Sequence, residues 1–217
     1  MASSRRVIGV DESGKGDFFG PLVVAAVLVP DDERTALADL GVRDGKQIAN
    51  RKLLAMDSLI RDRWPHAVVI VPPGSYNRRY ETIRNLNKLL ADCHAEAIHA
   101  VTAEHQADLA VSDKFGKPEL IERALGKLRD DIELDQIVRG EAIPQVAAAS
   151  IVARAGFLNA LQDMSSEYGM EFPRGAAPKV DQAGREFVRL FGAEQLPKVA
   201  KTHFKNFQRA TSTTLFR

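Results

Sequence analysis

Apolar and polar positions along this chain change period as it proceeds: short β-branched runs come first, helix-spaced apolar residues later. Residues 6–11 (RVIGVD) form a brief apolar run, which predicts a strand ending in an acid. Residues 22–29 (LVVAAVLV), bounded by Pro21 and Pro30, predict a second, buried strand. AVVIV at 67–71, closed by Pro72 and Pro73, predicts a third. Segments 107–113 and 134–141 predict two more, each ending in an acid, Asp113 and Glu141. Residues 48–63 are polar and helix-compatible. The stretch 83–101 sets Ile83, Leu86, Leu89, Leu90, Cys93, Ala97 and Val101 on one helical face. A helix is also expected over 118–130. From Pro144 a small-residue-rich helix runs to Gly169, and two short helices are predicted at 179–191 and 197–208. No repeat, low-complexity segment or linker interrupts this order. It predicts one α/β domain whose sheet strands, where they follow helices, run parallel to the first.

Composition narrows the class. A chain of 217 residues, 45% hydrophobic and 27% charged, has the make-up of a soluble globular protein able to bury a substantial core. No apolar run approaches the ~20 residues of a membrane helix. MASSRRV leads straight into the first strand, without the apolar core of a secretory signal. The single Cys93 cannot form an internal disulfide and fits a small buried residue in a reducing compartment, so a cytoplasmic protein is expected. The net charge of +1 says nothing about partners, but its distribution does. From Gln195 onward Lys198, Lys201, Lys205, Arg209 and Arg217 occur without any Asp or Glu, interleaved with His203, Phe204 and Phe207. Such a face fits a polyanion, or else a solvated helical tail.

Two chemistries compete for VIGVDESGKGDFFGP at 7–21. The spacing from Gly9 to Gly14-Lys15-Gly16 approaches a phosphate-binding loop but falls one residue short of it. Gly16 stands where such a loop needs a magnesium-ligating Ser or Thr. The segment that follows reads as a strand, whereas a phosphate loop opens a helix. Asp11 and Glu12 inside the loop would also repel phosphate. The alternative is a carboxylate cluster. Three predicted strands end in acids (Asp11 with Glu12, Asp113, Glu141), and in an open α/β sheet ligands bind beyond the carboxyl ends of parallel strands. Strands ~4.8 Å apart would bring these acids together, where their mutual repulsion calls for a hard divalent cation. The bland reading of each acid alone is a strand-end cap. Gly14 and Gly16 would let backbone groups approach a ribose 2′-hydroxyl, although a tight turn uses the same residues.

Five segments, in order, resemble a type 2 ribonuclease H, and within that group ribonuclease HIII: DESGKGDFFGP, the YNRRYETIRNLNKLLADCHAEAI segment at 76–98, SDKFGKP at 112–118, GEAIPQVAAASIVAR at 140–154 and KTHFKN at 201–206. The resemblance implies a ribonuclease-H-like fold, with a five-stranded mixed sheet flanked by helices and a C-terminal helical part from about residue 170. It implies endonucleolytic cleavage of the RNA strand of RNA/DNA hybrids with Mg2+ or Mn2+, two ions per site. Asp11, Glu12, Asp113 and Glu141 carry over as the catalytic, metal-binding set. Gly14, Lys15 and Gly16 carry over as the ribose-contacting block and Lys46 as a phosphate contact. Ser150, Lys201, His203 and Lys205 complete the expected substrate-binding set; read by itself, the Ala147–Ser150 run suits close helix packing. Asp44-Gly45-Lys46 departs from the family's Asp-Ser-Lys. Ten residues precede Asp11, so a single catalytic domain over 1–217 is expected, without the N-terminal substrate-binding domain usual in ribonuclease HIII.

The expected product ends are 5′-phosphate and 3′-hydroxyl, and the expected protein is a monomer with no membrane association. Two alternatives stand beside this reading: incision at single ribonucleotides in duplex DNA, as in ribonuclease HII, and a non-catalytic hybrid-binding protein. His94 and His99, both on a helix, read as structural residues.

Overall fold

A computed structural model of the chain describes residues 4–42 and 48–212, without the side chains of Arg129 and Glu141. The first strand, β1 (Arg6–Ser13), is central in a five-stranded sheet with β2 (Leu22–Pro30), β3 (His66–Val71), β4 (Leu109–Asp113) and β5 (Glu133–Ile137). The strand order is β3-β2-β1-β4-β5. β1 pairs antiparallel with β2 and parallel with β4, and β4 pairs parallel with β5, so the sheet is mixed. β2 is buried from Leu22 to Val29, as its unbroken apolar run requires, and Pro30 closes it.

Side chains alternate along β1, and a different helix covers each set. Val7 joins Val111 and Val146 in one apolar cluster, so Val7, Gly9 and Asp11 face α6 (Pro144–Tyr168). A Cβ on Gly9 would lie 2.0 Å from the carbonyl carbon of Gln145, so only glycine lets α6 come this close. Ile8, Val10 and Glu12 form the other set, and Glu12 meets α4 (Leu86–Thr102).

The remaining helices are α1 (Arg34–Asp39), α2 (Asn50–Arg63), α3 (Pro73–Ile83), α5 (Pro118–Leu125), α7 (Pro178–Phe191) and α8 (Lys205–Thr211). Several boundaries differ from the sequence expectation. The helix expected from residue 83 begins only at Leu86, because Arg84 takes a left-handed conformation (φ 49°) and Asn85 caps the new helix. Its side-chain oxygen accepts from the Lys88 N–H at 3.1 Å. α1 and α3 lacked a clear apolar period. β5 stops at Ile137, so Glu141 lies not at a strand end but in a 3-10 turn, Gly140–Ala142, entered through left-handed Arg139. The segment expected as one helix at 197–208 is a 3-10 stretch, Ala193–Lys198, followed by a separate α8. No helix among the described residues is long and apolar enough to cross a membrane.

The chain divides into two compact units. One comprises the chain up to Ser13 with Val23–Val69 and Asn85–Gly156, and holds most of the sheet. The other comprises Gly14–Leu22, Ile70–Arg84 and the chain from Phe157 onward.

Candidate active site

In the sheet-bearing unit, register brings two acids side by side. Val10 pairs with Ser112 in the parallel β1–β4 ladder, so Asp11 and Asp113 are the next residues on strands ~4.8 Å apart. Asp11 accepts hydrogen bonds from the Ser150 hydroxyl of α6 and, at 2.9 Å, from the Glu12 N–H. Burial, and then the charge of Glu12, push the Asp11 carboxyl from 3.8 up to about 6, against those bonds and the opposing influence of His94. Asp113 accepts from the Gly140 N–H at 3.0 Å, which fixes the turn carrying Glu141 to the end of β4. A Cβ on Gly140 would lie 2.9 Å from the Asp113 Cα. The carboxylate of Glu141 lies outside the described atoms.

Glu12 turns the other way. Its Oε2 lies 3.0 Å from Nε2 of His94, which is fully buried on α4. Sequence reasoning took His94 as a structural helix residue, and its contact with Glu12 was missed. The available signal was the strand period, which sends neighbouring acids to opposite faces. His99, by contrast, bonds to the Leu125 carbonyl at 3.1 Å, a structural contact as expected.

The arrangement suits hard cations through its donor set: carboxylate oxygens, with backbone and hydroxyl donors holding them in place. Among the described residues no three His, Cys, Asp or Glu side chains form a preassembled metal cage. Asp11 and Asp113, each just past the last pair of the parallel β1–β4 ladder, are the described nucleus of the site.

The glycine block belongs to the other unit. Gly14 has φ +86°, and a Cβ there would stand 2.1 Å from the Pro21 carbonyl oxygen, so the turn demands glycine. A Cβ on Gly16 would meet nothing within 4 Å among the described residues. The turn itself places no steric demand for glycine at Gly16. Lys15 is half-buried.

Lys201 corrects an expectation. Read as a substrate contact on a basic face, it is fully buried. Its Nζ donates to the carbonyls of Asp17 at 2.8 Å, Gly20 at 2.7 Å and Pro21 at 3.4 Å. Backbone bonds from Lys201 N–H to Phe18 and from Gly20 N–H to Val199 run alongside. Burial pushes its ammonium down to about 7, opposed by the charge of Asp17. This lysine holds the turn after the glycine block and does not face solvent. Asn77 does similar work, donating to the Pro197 and Ala200 carbonyls and accepting from the Thr202 N–H. Beside it, exposed His203 stacks on Tyr80 with centroids 4.2 Å apart. Partial burial and the charge of Lys201 lower its affinity for a proton. Lys198 and Lys205 are exposed, and Arg209 pairs with Asp181 at 3.2 Å. Lys46 lies outside the described residues.

Known proteins resemble this chain over most of its length. A family model described as ribonuclease HII matches residues 8–207. The chain is similar to ribonuclease HIII of Chlamydia pneumoniae (41% identity, 94% of this chain and 70% of the relative). It is also similar to ribonuclease HIII of Protochlamydia amoebophila (36%, 91% and 66%). It thus spans about two thirds of the length of these curated relatives. A crystal structure of Bst-RNase HIII in complex with Mn2+ superposes with a TM-score of 0.88 at 33% identity, covering 96% of this chain and 70% of that one. A ribonuclease H2 from Pyrococcus horikoshii, 23% identical with a TM-score of 0.82 (94% and 96% covered), shares the fold. Matched over nearly all of its length, the chain belongs to the ribonuclease HII family, as a type 2 ribonuclease H resembling ribonuclease HIII.

Proposed function

We propose that this chain is an endoribonuclease that cuts the RNA strand of RNA/DNA hybrids, with Asp11, Glu12, Asp113 and Glu141 holding two divalent cations, magnesium or manganese. The observation that carries this reading is the position of Asp11 and Asp113, each one residue past Val10 and Ser112, the last pair of the parallel β1–β4 ladder. Burial first, and then the charge of Glu12, raise the affinity of Asp11 for a proton, and a bound cation would offset both costs of ionising it. When bound, such ions activate water and stabilise the departing 3′-oxygen in phosphodiester cleavage, leaving 5′-phosphate and 3′-hydroxyl ends. The chain's own part is positional. Ser150 and the Glu12 N–H orient Asp11, and the Gly140 N–H orients Asp113.

On the substrate side, the reading assigns Gly14, Lys15 and Gly16 to the ribose hydroxyls, and Lys46, His203 and Lys205 to phosphates. Open space at Gly16 supports that assignment, because backbone can be approached there without a side chain in the way. On this reading the chain is a catalytic domain that acts as a monomer in the cytoplasm.

The test is cleavage of two end-labelled substrates, each with Mg2+ and with Mn2+. One is a continuous RNA/DNA hybrid and the other duplex DNA carrying one ribonucleotide. Cutting of the hybrid alone is expected. Efficient incision of the second substrate would move the protein to ribonuclease HII behaviour, and cutting of neither would leave a hybrid-binding protein.

A further inference from the structure

We infer that His94 is the positioning residue of Glu12, donating its Nε2 hydrogen to the carboxylate and fixing the direction in which Glu12 meets a cation. The inference rests on the proposed metal role of Glu12. Glu12 follows Asp11 on a strand, so the two side chains leave the backbone toward opposite faces of the sheet. Asp11 is held by Ser150 on the α6 side. Glu12 can serve the same site only if its carboxylate is held at the strand end, and His94 from α4 supplies that hold at 3.0 Å.

Packing alone does not account for a histidine at this position. His94 is fully buried on α4, a helix whose other buried residues, Leu90, Cys93 and Ala97 among them, are all apolar. Its Nδ1 is buried with no hydrogen-bond partner among the described residues. The ring therefore carries a polar atom that burial penalises, and Nε2 directs its one bond to Glu12. Because carboxylate oxygens of an ionised Glu12 only accept, the hydrogen in this bond belongs to Nε2. Phe115, two residues beyond Asp113, packs against the ring with centroids 4.7 Å apart and limits its rotation. The ring is thus held by the segment that follows the other strand-end acid. Partners of this kind, one bond removed from a metal, commonly change metal affinity about 10- to 100-fold when lost.

The experiment compares His94→Gln, whose amide nitrogen can reach the position of Nε2, with His94→Asn, which is one methylene too short. Mn2+ dissociation constants are read by electron paramagnetic resonance of free Mn2+, alongside the Mn2+ concentration for half-maximal hybrid cleavage and the substrate KM. The Gln variant is expected within about threefold of wild type in Mn2+ affinity, and the Asn variant about tenfold weaker or more. Substrate KM at saturating Mn2+ should stay unchanged in both. Wild-type Mn2+ affinity in both variants would overturn the inference, and so would a Gln variant as weak as the Asn variant, which would reduce His94 to packing. Undiminished Mn2+ binding by Glu12→Gln would instead overturn the metal role of Glu12 itself, and the inference with it.

Discussion

The carboxyl of Asp11 sits against Ser150 on one face of the sheet while Glu12 turns to His94 on the other. The burial of Asp11, and then the charge of Glu12, have an energetic consequence. The affinity of Asp11 for its proton is higher in the folded than in the unfolded chain, so between pH 4 and 6 the folded state binds more protons and stability falls as pH rises. From 3.8 to about 6, at roughly 1.4 kcal/mol per pH unit, the ionised group weakens the metal-free fold at neutral pH by on the order of 2–3 kcal/mol. Asp11→Asn should therefore raise the melting temperature of the metal-free protein at pH 7–8 and lose that advantage near pH 4, while hybrid cleavage falls by ~1,000-fold or more. A metal-free variant that melts lower at pH 7 would contradict the electrostatic account, and full activity would contradict the catalytic one. The acids were legible in the sequence because each fell at or just past an apolar run. His94 was not, because a lone histidine on a helix has no local pattern, and its meaning comes from a strand 82 residues away.

Among elements, the turn from Gly14 to Pro21 combines two different demands on glycine. Gly14→Ala meets both a positive φ and the Pro21 carbonyl, so thermal denaturation should show a loss of about 2 kcal/mol or more. Gly16→Ala meets open space and should melt like wild type, with its effect confined to a higher KM for hybrid. Equal melting losses in the two variants would remove the distinction. Lys201 anchors the far end of the turn, and Lys201→Met would leave three carbonyls without their donor, at a cost of about 2–4 kcal/mol. The proton affinity of Lys201 is lower folded than unfolded. Between about pH 7 and 10 the unfolded chain thus binds more protons, and wild-type stability gains with rising pH. Chemical denaturation across that range should show the gain in wild type and its absence in the Met variant. Strands and long helices were readable from apolar periodicity, and their boundaries less so. The break before α4 depends on an Asn85 cap, and the end of β5 on left-handed Arg139, neither of which disturbs the apolar pattern.

At the scale of the whole molecule, the mixed sheet followed from strand and helix order plus the resemblance, whereas the fate of the basic C-terminal residues did not. Charge counting treats Lys198, Lys201 and Lys205 alike, but only Lys198 and Lys205 remain at the surface. Replacing either with Ala should reduce the slope of log K for hybrid binding against log salt by about 1 if it meets a phosphate. Lys201→Met, where folded, should leave that slope unaltered. An unchanged slope in both surface variants would put the polyanion contact elsewhere. The hold of Lys201 on Asp17, Gly20 and Pro21 also bears on the birth of the enzyme. The strand bearing Asp11 and Glu12 leaves the ribosome long before Lys201 is made, yet the turn after it waits for that side chain about 180 residues later. A nascent chain released at residue 196 should retain sheet-rich far-ultraviolet dichroism and fail to bind hybrid, so that the grip on nucleic acid is acquired only after Lys201 has been made and folded back.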